Sequence, residues 1–269
     1  MTRLTVLLTG LALLTTGCDN KLSRGGFPEP ITSQGDNMLG VWRGSLITAI
    51  CVGVFVIGLI LGSALLFRRR SDDLPRQVRY NLPIEVLYTV VPMVIISVLF
   101  YFTAIRENDN DKYNSIKPDL TIGVVGFQWA WQFNYPAEGV SVTGRPGIEP
   151  TLVLPVDSNV LFVESSPDVV HAFWVIPFLF KRDVVPGRNN AFMVYLNKTG
   201  TFAGKCTEYC GTNHDRMLFT VKVVSQSEYQ AWVAETKQAA QDGTDPTVTV
   251  FTGPTPQPSI PGKTYRSHQ

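Results

Sequence analysis

The sequence predicts a membrane-anchored all-β protein: a two-helix transmembrane hairpin followed by a sandwich or barrel of short strands. Three observations predict it. Two membrane-length apolar runs fall before residue 105, the rest alternates in short β-type runs broken by turn residues, and two closely spaced cysteines with a histidine lie late in that second part. The chain has 269 residues, room for one ordinary domain with accessory segments. Its formal net charge of +1 gives no electrostatic reason to expect a nucleic acid or an acidic substrate. Four cysteines in a chain of this length do not make the disulfide framework of a small secreted fold.

Residues 1–17 read as a secretory signal, with Arg3 as the positive start, an apolar core over 4–14, and Thr15, Thr16 and Gly17 before Cys18. The last stretch resembles a lipoprotein cleavage box, which would leave Cys18 lipidated. Thr15 stands where such boxes usually carry Leu, so plain cleavage or an uncleaved anchor stays open. An outer segment over 18–44 leads into a first transmembrane helix at 45–67 and a second at 82–104. Each approaches the roughly 20 apolar residues that cross a bilayer, the second interrupted only by Glu85 and Pro92. The loop between them, 68–81, carries Arg68, Arg69, Arg70, Arg76 and Arg79, and the positive-inside rule puts it in the cytoplasm. Both ends of the chain then lie outside the cell membrane.

A polar linker over 105–117 opens a β domain expected at 118–241. Strands are expected at 121–125, 127–133, 151–154, 159–164, 191–196, 199–205 and 218–224. Pro-Gly pairs at 146–147 and 186–187, with Gly200 and Gly211, punctuate them. Phe127, Trp129, Trp131 and Phe133 alternate along the second of these, which puts them on one face of one strand, chiefly as core. Ser225 followed by Glu228 is a capping-box pattern for a helix to about residue 240, and 242–269 reads as a loose tail.

The chemistry concentrates between Cys206 and Met217. A thiol at Cys210, an imidazole at His214 and a thioether at Met217 are soft ligands that suit copper. His171, in a turn-like stretch, is the other histidine outside the tail. With Cys206 there is one thiolate too many for a one-copper blue site, and two thiolates can bridge two metals. Three plainer readings compete. The cysteines could form a disulfide, they could hold a structural zinc with His171 and His214, or they could be the thiol couple of a copper-delivery protein. Met217 favours copper, since zinc and a disulfide have no use for a thioether; by itself it could also be core filler.

The string Cys206-x-Glu208-x-Cys210-x-x-x-His214-x-x-Met217 resembles the CuA motif of cytochrome c oxidase subunit II. Phe127-Gln128-Trp129-Ala130-Trp131, Asp168-Val169-Val170-His171, Val185-Pro186-Gly187-Arg188 and the hairpin match the same family in order. The resemblance implies a cupredoxin-like β-barrel on the outer face, anchored by the hairpin to the subunit that reduces oxygen. It implies that Cys206 and Cys210 bridge two coppers and that His171 and His214 each terminate one. Met217 and the backbone carbonyl of Glu208 would be the weak ligands. The Glu208 carboxylate would face a magnesium or manganese ion shared with subunit I, and Trp129 would admit electrons from cytochrome c. Glu85 resembles the family's acid at the mouth of a proton pathway, against the plainer reading of an interfacial glutamate.

No Cys-x-x-Cys-His occurs, so the chain has no fused c-type haem and needs a separate donor. The stretch after the aromatic unit, Gln132 to Pro136, has no acid before Glu138. Weak steering of a lysine-rich soluble partner follows, and with it a donor held by its own complex, membrane-anchored or fused, unless acids elsewhere, notably Glu164 and Asp168, form a patch instead. Two spans argue against a copper chaperone, and the cysteines argue against a copper-free quinol oxidase subunit. The hairpin argues against nitrous oxide reductase, which shares the metal motif.

Overall fold

The computed structural model describes residues 21, 23–72, 74, 77–111 and 116–259. The expected signal at 1–17, Cys18, Arg76, residues 112–115 of the linker and residues 260–269 of the tail lie outside the described residues. Two compact units emerge, one holding the helices over 40–108, the other the chain from residue 109 onward together with 27–39.

Helix α1 (Ser33–Leu66) and helix α2 (Leu82–Asn110) are 34 and 29 residues long, and each contains a window apolar enough to cross a membrane with none of it buried. Val54, Leu59, Phe100 and Tyr101 are exposed along them, which suits hydrocarbon as the solvent and is costly in water. A helix satisfies its own backbone donors and acceptors, the requirement that lipid imposes. Pro92 lies inside α2 without ending it, although it removes one donor. Both helices exceed the expected spans. The polar stretch 33–44 is already helical, capped by Thr32, whose Oγ1 accepts from the Gly35 N–H at 2.9 Å. At the other end, nothing between residues 104 and 110 is a Gly or Pro that would stop α2, so the start of the expected linker is helical.

The β domain is built from β1 (Leu120–Phe127), β2 (Ala130–Tyr135), β3 (Val140–Thr143), β4 (Thr151–Pro155), β5 (Ser158–Ser165) and β6 (His171–Val175), followed by β7 (Phe180–Val184), β8 (Asn190–Leu196), β9 (Gly200–Cys206), β10 (Leu218–Val224) and β11 (Val248–Val250). They form a six-stranded sheet, β11-β3-β2-β1-β5-β8, and a five-stranded sheet, β4-β10-β9-β6-β7. Pairing is antiparallel except for β1 with β5 and β4 with β10, the arrangement of a cupredoxin-like barrel. Between the sheets, Phe173 stacks on Phe219 with centroids 4.9 Å apart and Phe162 on Phe192 at 5.1 Å. Aromatic pairs of this kind add about 0.5–1.5 kcal/mol beyond their burial.

Three expectations need correction. Residues 127–133 are not one strand: Phe127 pairs with Ala130, so β1 ends and β2 begins around a connection at Gln128 and Trp129. Trp131, Phe133 and Tyr135 share the fully buried inner face, whereas Trp129 leaves the strand and is half-buried. Strands β3, β6 and β7 escaped the sequence reading, the last two because they are short and flank the turn at Pro177. The tail is not loose throughout. Val248 and Val250 pair with Val142 and Val140, the β-branched run outweighing its Pro-rich surroundings, and Asn189 and Ser259 hold each other farther on.

Helix α3 (Gln226–Asp242) has its capping box in both directions: the Glu228 N–H donates to Ser225 Oγ at 3.3 Å, and the Ser225 N–H to Glu228 Oε2 at 2.9 Å. It buries Tyr229 and Val233.

Candidate metal centre

Three neighbouring strands bring the donors together. His171 opens β6, Cys206 closes β9, and Met217 immediately precedes β10. Antiparallel pairing of β9 with β10 closes the loop between them, and the Cys206 N–H donates to the Met217 carbonyl at 3.0 Å across its neck. The Thr207 N–H reaches the Ala172 carbonyl at 3.2 Å, tying the loop to β6. His214 sits on a single 3-10 turn (His214–Arg216).

The result is a two-ended cluster. The Cys206 and Cys210 sulfurs are 3.9 Å apart. Cys206 has His171 Nδ1 at 3.9 Å and the Glu208 carbonyl at 3.3 Å. Cys210 has His214 Nδ1 at 3.6 Å and Met217 Sδ at 3.8 Å. His171, Cys206, Cys210 and Met217 are buried, while Glu208 and His214 are half-buried. A disulfide needs sulfurs about 2.05 Å apart, so the two thiols are free in this structure. The ligand atoms of His171, Cys206 and Cys210 lie within 4.8 Å of one another. Two thiols between two imidazoles, with a thioether at one end, form a soft donor set that fits copper.

The electrostatics suit deprotonation on metal binding. Burial opposes ionisation of Cys206, but hydrogen bonding with His171 and with backbone groups outweighs it and brings the thiol down to about 7. Burial and the adjacent Cys206 charge push Cys210 up to about 12. Cys210 is thus the thiol that resists ionisation, and metal binding has to displace its proton. Burial disfavours the His171 cation, yet contacts with Cys206 and Asp168 outweigh it and raise its pKa. For Asp168 burial acts upward, and hydrogen bonds from the Gln128 N–H, His171 and Val169 overcome it, so its carboxyl is held below the usual range.

Around the donors is a clasp that the sequence did not reveal. Asp168 Oδ1 meets His171 Nε2 at 2.9 Å, which fixes the ring with Nδ1 toward Cys206. Asp168 Oδ2 accepts from the Gln128 N–H at 2.7 Å. Gln128 Nε2 donates to the Cys210 carbonyl at 2.7 Å, and Trp129 Nε1 to the same oxygen at 3.2 Å. Trp131 Nε1 donates to the Met217 carbonyl at 3.3 Å. Two glycines allow the approach. A Cβ on Gly126 would stand 3.0 Å from Trp131 and 3.3 Å from the His171 ring, and Gly211, at φ +119°, lies against Gln128 and Trp129. The Asp-Val-Val-His spacing was the one available signal for Asp168, while nothing local pointed to Gln128.

The remaining site candidates stand as follows. Trp129 joins the cluster through Cys210. The Glu208 side chain is half-buried beside the loop, and no second group of metal-competent side chains occurs among the described residues. Glu85 lies in the first turn of α2, where Oε1 accepts from the Asn81 N–H at 2.9 Å.

Comparison with known proteins gives a consistent picture. Residues 146–224 match the family model for the cytochrome c oxidase subunit II periplasmic domain, and residues 26–104 that for its transmembrane domain. A probable cytochrome c oxidase subunit 2 of Streptomyces coelicolor is 46% identical, over 89% of this chain and 88% of the relative. Cytochrome c oxidase subunit 2 of Mycobacterium tuberculosis is 34% identical over 86% and 80%. Among solved structures, the periplasmic domain of cytochrome oxidase subunit II of Bradyrhizobium japonicum is 34% identical, covering 46% of this chain and 96% of that one, with a TM-score of 0.43. The chain belongs to the cytochrome c oxidase subunit II family, as the electron-accepting subunit that two spans anchor in the membrane beside the other subunits of a terminal oxidase.

Proposed function

We propose that the loop between β9 and β10, with His171 of β6, holds a binuclear CuA centre that receives electrons from a cytochrome c. The observation that carries this is the two-ended arrangement: each thiol has its own imidazole, and the Glu208 carbonyl and the Met217 thioether lie at opposite ends. Bound copper would supply one-electron redox chemistry there. Cys206, Cys210, His171 and His214 would hold it, with the Met217 thioether and the Glu208 carbonyl as weaker ligands. The residues' task is to hold still. Strands β6, β9 and β10 fix the donors before any metal arrives, and Asp168 fixes the His171 ring, so little has to reorganise when charge arrives. Cys206 and Cys210 are themselves buried, which keeps their sulfurs from bulk water.

Copper loading of the purified full chain tests this reading. Two coppers per chain with an electron paramagnetic resonance signal delocalised over both are expected, and Cys206→Ser should leave at most a localised one-copper signal. One zinc and no copper after reconstitution with both metals would falsify it.

Trp129 is the proposed entry for electrons, supported by its hydrogen bond to the Cys210 carbonyl and its half-buried ring. A groove beside it is lined by Trp129, Arg145, Glu149, Asp215 and Arg216, a surface of mixed charge. Mixed charge supports a donor held in place by its own complex, membrane-anchored or fused, over one steered from solution. Collapse of fast reduction by a lysine-rich soluble cytochrome c on adding salt would count against that donor. The Glu208 carboxylate is the proposed chain ligand for a magnesium or manganese ion shared with subunit I. Loss of the bound manganese signal from the complex in Glu208→Gln is expected, and an unchanged signal would remove the role.

The β domain and both termini are assigned to the outer face and the 68–81 loop to the cytoplasm. A cysteine placed at Ser71 should resist an impermeant thiol reagent in intact cells, and modification would reverse the orientation. Glu85 is proposed as a proton-pathway acid of the complex, although its bond to Asn81 also suits a helix cap. Glu85→Gln should slow turnover while reduction of the copper centre stays normal; an unchanged turnover would leave only the cap.

A further inference from the structure

Glu164 lies on β5 and has no part in the metal site. It follows Val160 and Phe162 on the inward face, its side chain is fully buried, and neither carboxyl oxygen has a hydrogen-bond partner. A buried carboxylate without partners is among the costliest arrangements a core can hold. Its lateral neighbours across the sheet are Val124 on β1 and Asn190 on β8, neither of which titrates. On β6, His171 has both ring nitrogens directed elsewhere, to Cys206 and Asp168. The charged groups that act on Glu164 come from β7: Arg182 favours its ionisation and Asp183 opposes it, while burial outweighs both and raises its pKa well above the usual carboxyl range.

Arg182 is turned to another partner. On β7 it alternates inward with Phe180 and Val184, and its guanidinium lies over the Phe180 ring, 4.9 Å from the centroid. Its Nη2 donates to Asp111, just past the end of α2, whose side chain is 46% exposed. Arg182 Nε is buried and without a partner. Phe180 packs on Phe192 of β8 and Asn190 Nδ2 donates to the Asp183 carbonyl, which brings β7 against the Asn190–Glu164 pair. A buried acid with two free acceptors therefore lies near a cation with one free donor, the cation being engaged by Asp111.

We propose that Glu164 is a one-proton store controlled by Arg182. While Arg182 is paired with Asp111, Glu164 keeps its proton as a neutral carboxylic acid. When another cationic group takes Asp111, the guanidinium turns to Glu164, the O–H bond of the carboxyl breaks, and the proton leaves to water as a carboxylate–guanidinium pair forms. One ion pair is exchanged for another and one proton is released, with no change of oxidation state. A charge contact at Asp111 on the surface is thereby translated into ionisation inside the barrel.

Infrared spectroscopy of the purified full chain at neutral pH tests the store. The difference between wild type and Glu164→Gln should show the carbonyl stretch of one neutral carboxylic acid. A carboxylate band there instead would overturn the proposal. Asp111→Asn frees Arg182 and should abolish the neutral-acid band, whereas its persistence would show that Arg182 does not control Glu164. Should Glu164→Gln fail to fold, the spectrum of wild type against Asp111→Asn reads the same loss directly. Arg182→Met, which removes the counter-charge, should retain the neutral band both alone and combined with Asp111→Asn; its loss in either protein would again overturn the assignment.

Discussion

Replacing Asp168 by Asn keeps the shape of the side chain and removes its charge, so the effect reports the clasp rather than a cavity. Asp168 Oδ1 accepts from the Val169 N–H at 2.6 Å and meets the His171 ring at 2.9 Å and the Ser166 hydroxyl at 3.1 Å; Oδ2 accepts from the Gln128 N–H at 2.7 Å. Asn has a single oxygen. Whichever way its amide turns, an NH2 faces either the Gln128 N–H or the donors around Oδ1. A hydrogen bond to a charged group contributes about 1.5–3 kcal/mol. Because the Asp168 side chain is 30% exposed, the lower end applies. About 1.5 kcal/mol is roughly tenfold in an equilibrium constant, within the ~10–100-fold that outer partners of metal ligands usually contribute. Copper affinity should fall by about tenfold, measured by competition with a chromophoric chelator. The sign with pH is also set. The Asp168 carboxyl is held below its usual range, so its contribution to apo-protein stability is present above that range and is lost as pH falls through the folded value. Wild type and Asp168→Asn should therefore converge in acid. Equal copper affinity of the two proteins at neutral pH would refute the clasp.

The remaining predictions probe the loop, the helix cap and the electron entry. Gly211→Ala forces a side chain into φ +119° and sets a Cβ 3.1 Å from both Gln128 Nε2 and the Trp129 ring, so a loss of about 1–3 kcal/mol is expected in thermal unfolding. An unchanged midpoint would mean that the loop relaxes without cost. Ser225→Ala removes one half of the capping box and should destabilise by about 1 kcal/mol, read from the same unfolding curves. Trp129→Phe deletes the Nε1 donor to the Cys210 carbonyl while keeping an aromatic ring, and should slow reduction of the copper centre by its donor at least about tenfold, about 1.4 kcal/mol in barrier height. Unaltered reduction kinetics would move the entry point elsewhere.

How much of this was legible in the sequence follows from the range over which each feature is encoded. The spans are written in local hydropathy, broken in the second only by Glu85 and Pro92, and the helices that contain them run farther than hydropathy alone indicates. Thr32 starts α1 early because its hydroxyl can cap a polar turn as readily as an apolar one, and α2 continues past residue 104 because no breaker intervenes. The capping box at Ser225 and Glu228 is a three-residue pattern and was readable for the same reason. Residues 127–133 misled because the aromatic alternation there is continuous across a strand boundary. The pairing of Phe127 with Ala130 is a property of two strands, and periodicity along one segment does not contain it.

The metal site divides along the same line. Five of its six proposed donors lie between Cys206 and Met217, where one loop on an antiparallel neck brings them together, so their spacing was informative. The clasp is encoded across the fold. Gln128 reaches a carbonyl 82 positions away, and it does so because β1 ends at Phe127 and turns the next two residues toward the loop. The same turn aims the Gln128 N–H at Asp168, three residues before the remaining donor, His171. Misreading 127–133 as one strand and missing Gln128 were therefore a single error. Only a chain that breaks at residues 128 and 129 can join Trp129, Cys210 and the His171 ring through one set of hydrogen bonds. The connection that interrupts the aromatic pattern is thus the element that ties the proposed entry residue to both ends of the metal centre.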